Sequence, residues 1–402
     1  MVATLVVTTP FHAARTCSYS GRMTVHGSAA PGFEPLHDLL ASNLADGTDL
    51  GASLAVVRDG EVVVDLWGGT AAPGRDWQQD TLVQVWSVTK TMAAITALVL
   101  VDRGVLDLEA PVQRYWPEFR DDRVLVRHVL SHTSGFPGWT APLTIEGLLD
   151  LPYANNLLAE QDAWFEPGSA SGYNMVCYGH LVDGLVRGAT GRPLSEVFAE
   201  LVAGPLGADF HLGVPDADLA RCADLVPPPP GGLDLGALPP DNMLIPTLVN
   251  PVLDMAGCNT PEWRRVSVAG ANGHGNARAI ARIQSVVSHG GEVDGVRLLS
   301  KETIDRIFEV QADGPDKVLL VPLRWGIGYA LPQPLSAPAV PEGRVCWWTG
   351  YGGAVVVNDL DRRVTVAYAM NRMVDHFTSS ERTDAYLRTA FACLDSTDGA
   401  GA

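Results

Sequence analysis

The chain has 402 residues, of which 46 are acidic and 28 basic, giving a formal charge of −18. That balance excludes bulk attraction to nucleic-acid phosphates or anionic membranes. An apolar share of 47 % against 18 % charged residues excludes a mainly disordered chain.

Residues 1–22 carry a short apolar patch with no basic residue before it, and Pro10 interrupts it, unlike a secretory signal. They are expected to be a disordered tail or an upstream-start extension ahead of Met23. Ser53–Leu66 contains two β-rich runs around Asp59-Gly60, a strong hairpin signal, and Trp67-Gly68-Gly69 is expected to end the second strand. Ser87–Arg103 lacks Gly and Pro and is apolar on nearly all faces, which predicts a deeply buried helix stopped by Gly104. The longest apolar run, Met92–Val101, is too short to span a bilayer. Residues 124–205 read as mostly helical, with loops at 133–140 and 166–173. Residues 225–250 hold Pro227–Pro230 and Pro239-Pro240, which predicts an irregular surface segment. A helix is expected over Ala277–Val287 and a short strand or turn over 293–299. Two strands follow, Gly353–Val357 and Arg363–Met370, joined by residues 358–361, and a last helix covers 384–394.

Strands therefore lie at both ends and helices in the middle. The economical fold is α/β, of the α+β type: one antiparallel sheet from the N- and C-terminal strands, flanked by helices, with a helical insertion and a cleft between the two. Residues 23–402 form a single unit, in which 23–110 and 270–402 supply the α/β region and 111–269 the mainly helical one. The six cysteines, at 17, 177, 222, 258, 346 and 393, form no CxxC pair. Free thiols in a reducing compartment, the cytoplasm, are expected rather than disulfides or a thiolate metal site.

The chemistry begins at Ser87-Val88-Thr89-Lys90. Positions i and i+3 share a helix face, so hydroxyl and ammonium can meet. Only three lysines occur in the chain, Lys90, Lys301 and Lys317, and one of them stands in its most apolar helix. A lysine in an apolar site loses its charge easily and can deprotonate a serine, and the helix N-terminus favours a developing oxyanion. A Ser-x-x-Lys alone arises by chance in roughly one such chain in seven, so its context matters. An ordinary N-cap serine with a snorkelling lysine is the bland alternative.

That context is a series of segments: LAVVRDGEVVVDLWGG, VWSVTKTMAA, VLSHTSGFPG, PGSASGYNMVCYGHLVDGLVRGATGRPL, ANGHGNARAIARI, GGEVDGVRLLS and WWTGYGGAVVV. In number and order they resemble the serine β-lactamase-like superfamily, closest to the family VIII carboxylesterases and class C β-lactamase relatives. The resemblance runs from Met23 to about residue 395. It implies Ser87 as nucleophile, with Lys90 and Tyr173 as its proton-handling partners. Tyr178 is the competing tyrosine, although its place beside Gly179 suits packing. The lactamase-type Tyr-x-Asn would need Asn at 175, where this chain has Met175, and Asn174 is one residue off. The third motif, Lys-Thr-Gly in lactamases, is here Trp348-Thr349-Gly350. Trp348 is expected to give an aromatic wall without charge, which favours neutral esters over anionic β-lactams. The resemblance further implies an oxyanion hole from the N–H groups of Ser87 and Tyr351, with Trp348, Thr349, Gly350 and Met175 at the substrate.

Other motifs point nowhere further. His128 and His132 have i,i+4 spacing but no third ligand, so no metal site is expected. Asn272 and His274 suit loop bonding or helix capping. There is no GxSxG elbow, Walker loop or strand-linked GxGxxG, and no cofactor is expected. The expected activity is a serine hydrolase cleaving small neutral carboxylic esters through an acyl-enzyme. The alternative is transfer of the acyl group to an alcohol or amine. A β-lactamase or D-amino-acid peptidase fits the departures less well, and an intact Ser87, Lys90 and Tyr173 set argues against a purely binding protein. The expected partner is a small-molecule ester, with no nucleic acid and no membrane; a homo-oligomer is left open.

Overall fold

The computed structural model describes residues 24–228, 238 and 242–399. The expectation for residues 1–22, and Pro229, Pro230, Pro239 and Pro240, lie outside the described residues.

One antiparallel sheet is built from both ends of the chain. Its strands are β1 (Val25–Ala29), β2 (Gly51–Arg58), β3 (Glu61–Ala72), β4 (Ala312–Pro315), β5 (Pro322–Trp325), β6 (Ala330–Leu331), β7 (Val345–Thr349), β8 (Val355–Asp359) and β9 (Val364–Met370). They run β1-β3-β2-β9-β8-β7-β6-β5-β4 across the sheet, with Arg75–Asp76 pairing on β3. The terminal halves join where β9 pairs with β2, from Val364↔Arg58 to Met370↔Ala52. β2 and β9 are buried on both faces because helices cover each side, so they read as continuous apolar runs. β3 instead alternates buried and half-exposed positions.

The Asp59-Gly60 hairpin forms as expected, with both residues at positive φ, 50° and 89°. β3 does not end at Trp67-Gly69. It continues to Ala72, because Gly69 takes φ 89° and bends the strand while Thr70 goes on to bond Leu50. The C-terminal hairpin turns at residues 360–363, two residues later than expected, since Asn358 and Asp359 still pair with β9.

Six helices matter for the site. α1 (Glu34–Asp46) packs on one sheet face beside the C-terminal helix. α2 (Thr89–Asp102) is buried from Thr89 to Leu100. α3 (Tyr178–Thr190) crosses α2. α4 (Leu244–Val249) lies within the segment expected to be irregular; Pro246 is tolerated there because it sits in the first turn, where N–H groups lack partners anyway. α5 (Ala277–Ser288) covers the other sheet face, against β2, β8 and β9, and is capped by Asn276 Oδ1, which accepts from Ala279 N at 2.9 Å. The C-terminal helix, α6 (Glu381–Gly399), is longer than expected at both ends. Among the described residues no helix is long and apolar enough to cross a membrane.

Candidate active site

Ser87 sits in a single 3₁₀ turn, Trp86–Val88, that leads directly into α2. The residue before it, Trp86, has φ 46°, a strained value for a bulky side chain. The strain is held by packing: the indole is buried and meets the Tyr351 ring edge-on at 5.8 Å. From behind, the end of β7 presses on the same turn. A Cβ on Gly350 would lie 2.2 Å from the Val85 carbonyl oxygen, so only glycine fits that approach.

Lys90 points back along α2 and places Nζ 2.9 Å from Ser87 Oγ. Nζ also lies 2.8 Å from the Met175 carbonyl oxygen and 2.6 Å from that of Gly270. The side chain is 2 % exposed, and burial pushes its pKa down to about 7. A neutral amine has two N–H groups and one lone pair. As an ammonium, Lys90 donates its third N–H to Ser87 Oγ; once neutral, with two N–H groups on the two carbonyls, it turns its lone pair to the serine.

Tyr173 completes the group. Its phenol lines the same cavity as Ser87 and accepts the Trp348 indole N–H at 3.0 Å. Burial nevertheless drives its pKa above the ordinary tyrosine range, so it stays a phenol at neutral pH. The Tyr173 main-chain N–H donates to Asp316 Oδ1 at 3.1 Å, which ties the tyrosine to the loop between β4 and β5. Tyr178, by contrast, turns its hydroxyl to the Leu130 carbonyl at 3.4 Å and packs at a tilt against His132.

Ser87 and Tyr351 both line one cavity, of about 200 Å³. Among the described turns and loops the Tyr351 N–H makes no main-chain hydrogen bond. The cavity walls are Trp86, Met175 and Val176 on one side, and Leu248, Pro251, Val252, Leu253 and Met255 from α4 and the chain after it. Tyr351 and Phe377, stacked at 5.1 Å, line it as well. None of the described lining residues carries a charge.

The expected substrate residues divide. Met175 lines the cavity; Trp348, Thr349 and Gly350 do not. Trp348 is 2 % exposed and serves Tyr173 instead of walling the pocket, because β7 buries every one of its side chains. Thr349 Oγ1 donates to the Ala354 carbonyl at 2.8 Å, and Trp347 Nε1 to that of Leu331 at 3.1 Å. Asn174 Nδ2 donates to the Phe136 carbonyl, away from the serine. His128 belongs to the short helix Val126–Leu130, whereas His132 lies beyond it at φ 60°, so the two do not share a helix face. Asn272 ties its own loop through Val268 N, Trp263 O and Val266 O, each at 2.8 Å.

Sequence reasoning missed the wall from residues 247–255, Phe377 and the two carbonyls that accept from Lys90. Trp86 had a signal, its place beside the serine. The others lie far from the motifs in the chain, and no local pattern marks them.

Residues 38–391 match the family pattern described as "Beta-lactamase". The "Esterase/beta-lactamase LipL" of Mycobacterium tuberculosis (strain ATCC 25618 / H37Rv) is 33 % identical over 380 residues, covering 87 % of this chain and 83 % of that protein. A crystal structure of a family VIII carboxylesterase superposes with a TM-score of 0.85 at 34 % identity, covering 92 % of this chain and 100 % of the other. A penicillin-binding protein homologue from Caulobacter crescentus superposes at 0.81 with 32 % identity, over 92 % of this chain and 100 % of that one. With residues 38–391 matched by the family pattern, the chain belongs to the beta-lactamase family.

Proposed function

We propose that this protein is a serine esterase acting on small neutral carboxylic esters through an acyl-enzyme. The observation that carries this is the meeting of Ser87, a desolvated Lys90 and Tyr173 at the mouth of an uncharged cavity. The relatives named as esterases support it.

Ser87 Oγ attacks the ester carbonyl while its proton passes to the Lys90 amine. The Ser87 and Tyr351 N–H groups hold the oxyanion. As the tetrahedral intermediate collapses, the Tyr173 phenol gives its proton to the departing alkoxide and takes one back from the Lys90 ammonium. Water then repeats the sequence on the acyl-enzyme. The residues from Met23 onward act as one catalytic unit, with the cleft between the α/β part and the mainly helical part. The free, buried state of the five described cysteines supports a cytoplasmic location.

The test is Ser87→Ala, which abolishes hydrolysis of a short-chain aryl ester while the circular dichroism spectrum stays unchanged. Retained activity overturns the assignment. Offering the wild type an alcohol acceptor during turnover separates hydrolysis from acyl transfer: acid as the main product supports the esterase, and a new ester as the main product supports the acyltransferase.

A further inference from the structure

Beneath the turn that carries Tyr351 lies a buried ion pair that touches none of Ser87, Lys90 and Tyr173. Arg382, in the first turn of α6, is 6 % exposed. Its Nη2 donates to the Gly352 carbonyl at 2.7 Å and its Nη1 to the Thr48 carbonyl at 3.0 Å. Asp49 Oδ1 stands 3.3 Å from Nη1. The same carboxylate accepts the Tyr368 hydroxyl at 2.5 Å and the Tyr386 hydroxyl at 2.6 Å. Thr383, the next residue, donates Oγ1 to the Gly353 carbonyl at 2.9 Å. Both carbonyls after Tyr351 are therefore held by α6.

The turn connects this ion pair to the oxyanion site. The Gly352 carbonyl and the Gly353 N–H belong to one peptide group, and that N–H donates to the Gly350 carbonyl at 2.9 Å. The Gly350 carbonyl and the Tyr351 N–H form the next peptide group. In a trans peptide the N–H points opposite to the C=O. A line thus runs from the Arg382 guanidinium through two peptide groups in series to the Tyr351 N–H. Hydrogen bonds in such a line polarise one another, and a cation at the acceptor end makes the last N–H a better donor. Gly353 makes room for this: its φ is 119°, and a Cβ there would sit 2.8 Å from Arg382 Nη2.

Stability alone is a poor reason for the arrangement, because desolvating a buried ion pair offsets much of its attraction. We infer that Arg382, neutralised and oriented by Asp49, is a positioning residue for ester hydrolysis, which aims and polarises the Tyr351 N–H toward the oxyanion through the Gly352 carbonyl. This rests on the reading of Ser87 as nucleophile and Tyr351 as oxyanion donor.

The test compares Arg382→Lys, Arg382→Gln and Thr383→Val with the wild type, each checked for its thermal transition. Three quantities are measured: kcat and KM for an aryl ester, inhibition by a trifluoromethyl ketone that Ser87 converts to an oxyanion adduct, and ester binding in a Ser87→Ala background. Losing a whole oxyanion donor costs about 10²–10³ in kcat, so weakening one costs about 10–100-fold. Arg382→Gln should lose that much in kcat and in ketone affinity together, with ester binding within about twofold; Arg382→Lys should recover part of both. Thr383→Val keeps the ion pair and the line to the Tyr351 N–H, so it should hold both quantities within about twofold; the partial loss in Arg382→Lys decides the matter if Arg382→Gln does not fold. Unchanged kcat and ketone affinity in a folded Arg382 variant, or a loss confined to ester binding, overturns the role of Arg382. An active Ser87→Ala protein overturns the underlying site instead, so the two failures are distinct.

Discussion

Trp348 donates its indole N–H to the phenolic oxygen of Tyr173 at 3.0 Å, with both rings buried. The residue that replaces a lactamase-type cation thus acts on the tyrosine and leaves the walls of the cavity to others. Trp348→Phe keeps the packing and removes one hydrogen bond of about 1 kcal/mol, so kcat should fall about fivefold with KM little changed. Steady-state kinetics check this. A raised KM at constant kcat would return Trp348 to the pocket wall.

Lys90 sets a pH dependence. With its pKa pushed down to about 7, the amine is increasingly neutral above that value. The rate constant kcat/KM should therefore rise as pH increases through about 7 and level off above it. A profile that falls over this range would exclude Lys90 as the base.

The same shift predicts a stability effect. Unfolded lysine keeps its proton up to about 10.5, whereas the folded side chain loses it near 7, so the unfolded state binds more protons between these values. This contribution to stability rises with pH across that window. Lys90→Met should be inactive yet more stable at pH 7 by about 1–3 kcal/mol, and its advantage should shrink toward pH 10. Thermal melts of both proteins across the window test it.

Tyr173→Phe removes the proton donor for the leaving group. The loss should reach about 10²–10³ in kcat for alkyl esters and be smaller for nitrophenyl esters, whose leaving groups need little protonation. Tyr178→Phe loses only a bond to the Leu130 carbonyl and should keep near-wild-type kcat. The reverse pattern would exchange the two tyrosines.

The uncharged cavity predicts the substrate range. Leu253→Ala opens the wall that follows α4 and should shift preference toward bulkier apolar esters, read as the ratio of kcat/KM for long and short chains. A chromogenic cephalosporin, which brings a carboxylate, should turn over slowly, since no described lining residue offers a cation. Rapid turnover would refute the argument from charge.

The sequence by itself determined what depends on neighbours along the chain. The Asp59-Gly60 turn, the apolar run of α2 and the i, i+3 spacing of Ser87 and Lys90 are local, and each appears in the structure as its pattern dictates. The pairing of terminal strands followed from the order of strand and helix patterns, because edges of a sheet must be covered or joined. Tertiary structure decided the direction in which side chains face and which distant segments meet. Trp348 lies in a strand whose side chains are all buried, so its role as wall or support depended on what packs over β7, which no local pattern reports. The carbonyls that desolvate and orient Lys90 belong to residues 175 and 270, and the cavity wall to residues 247–255. Burial of Lys90, and with it the pKa that makes the amine a base, exists only once those segments close around it, because desolvation is a property of the whole surrounding volume and of no single stretch of chain.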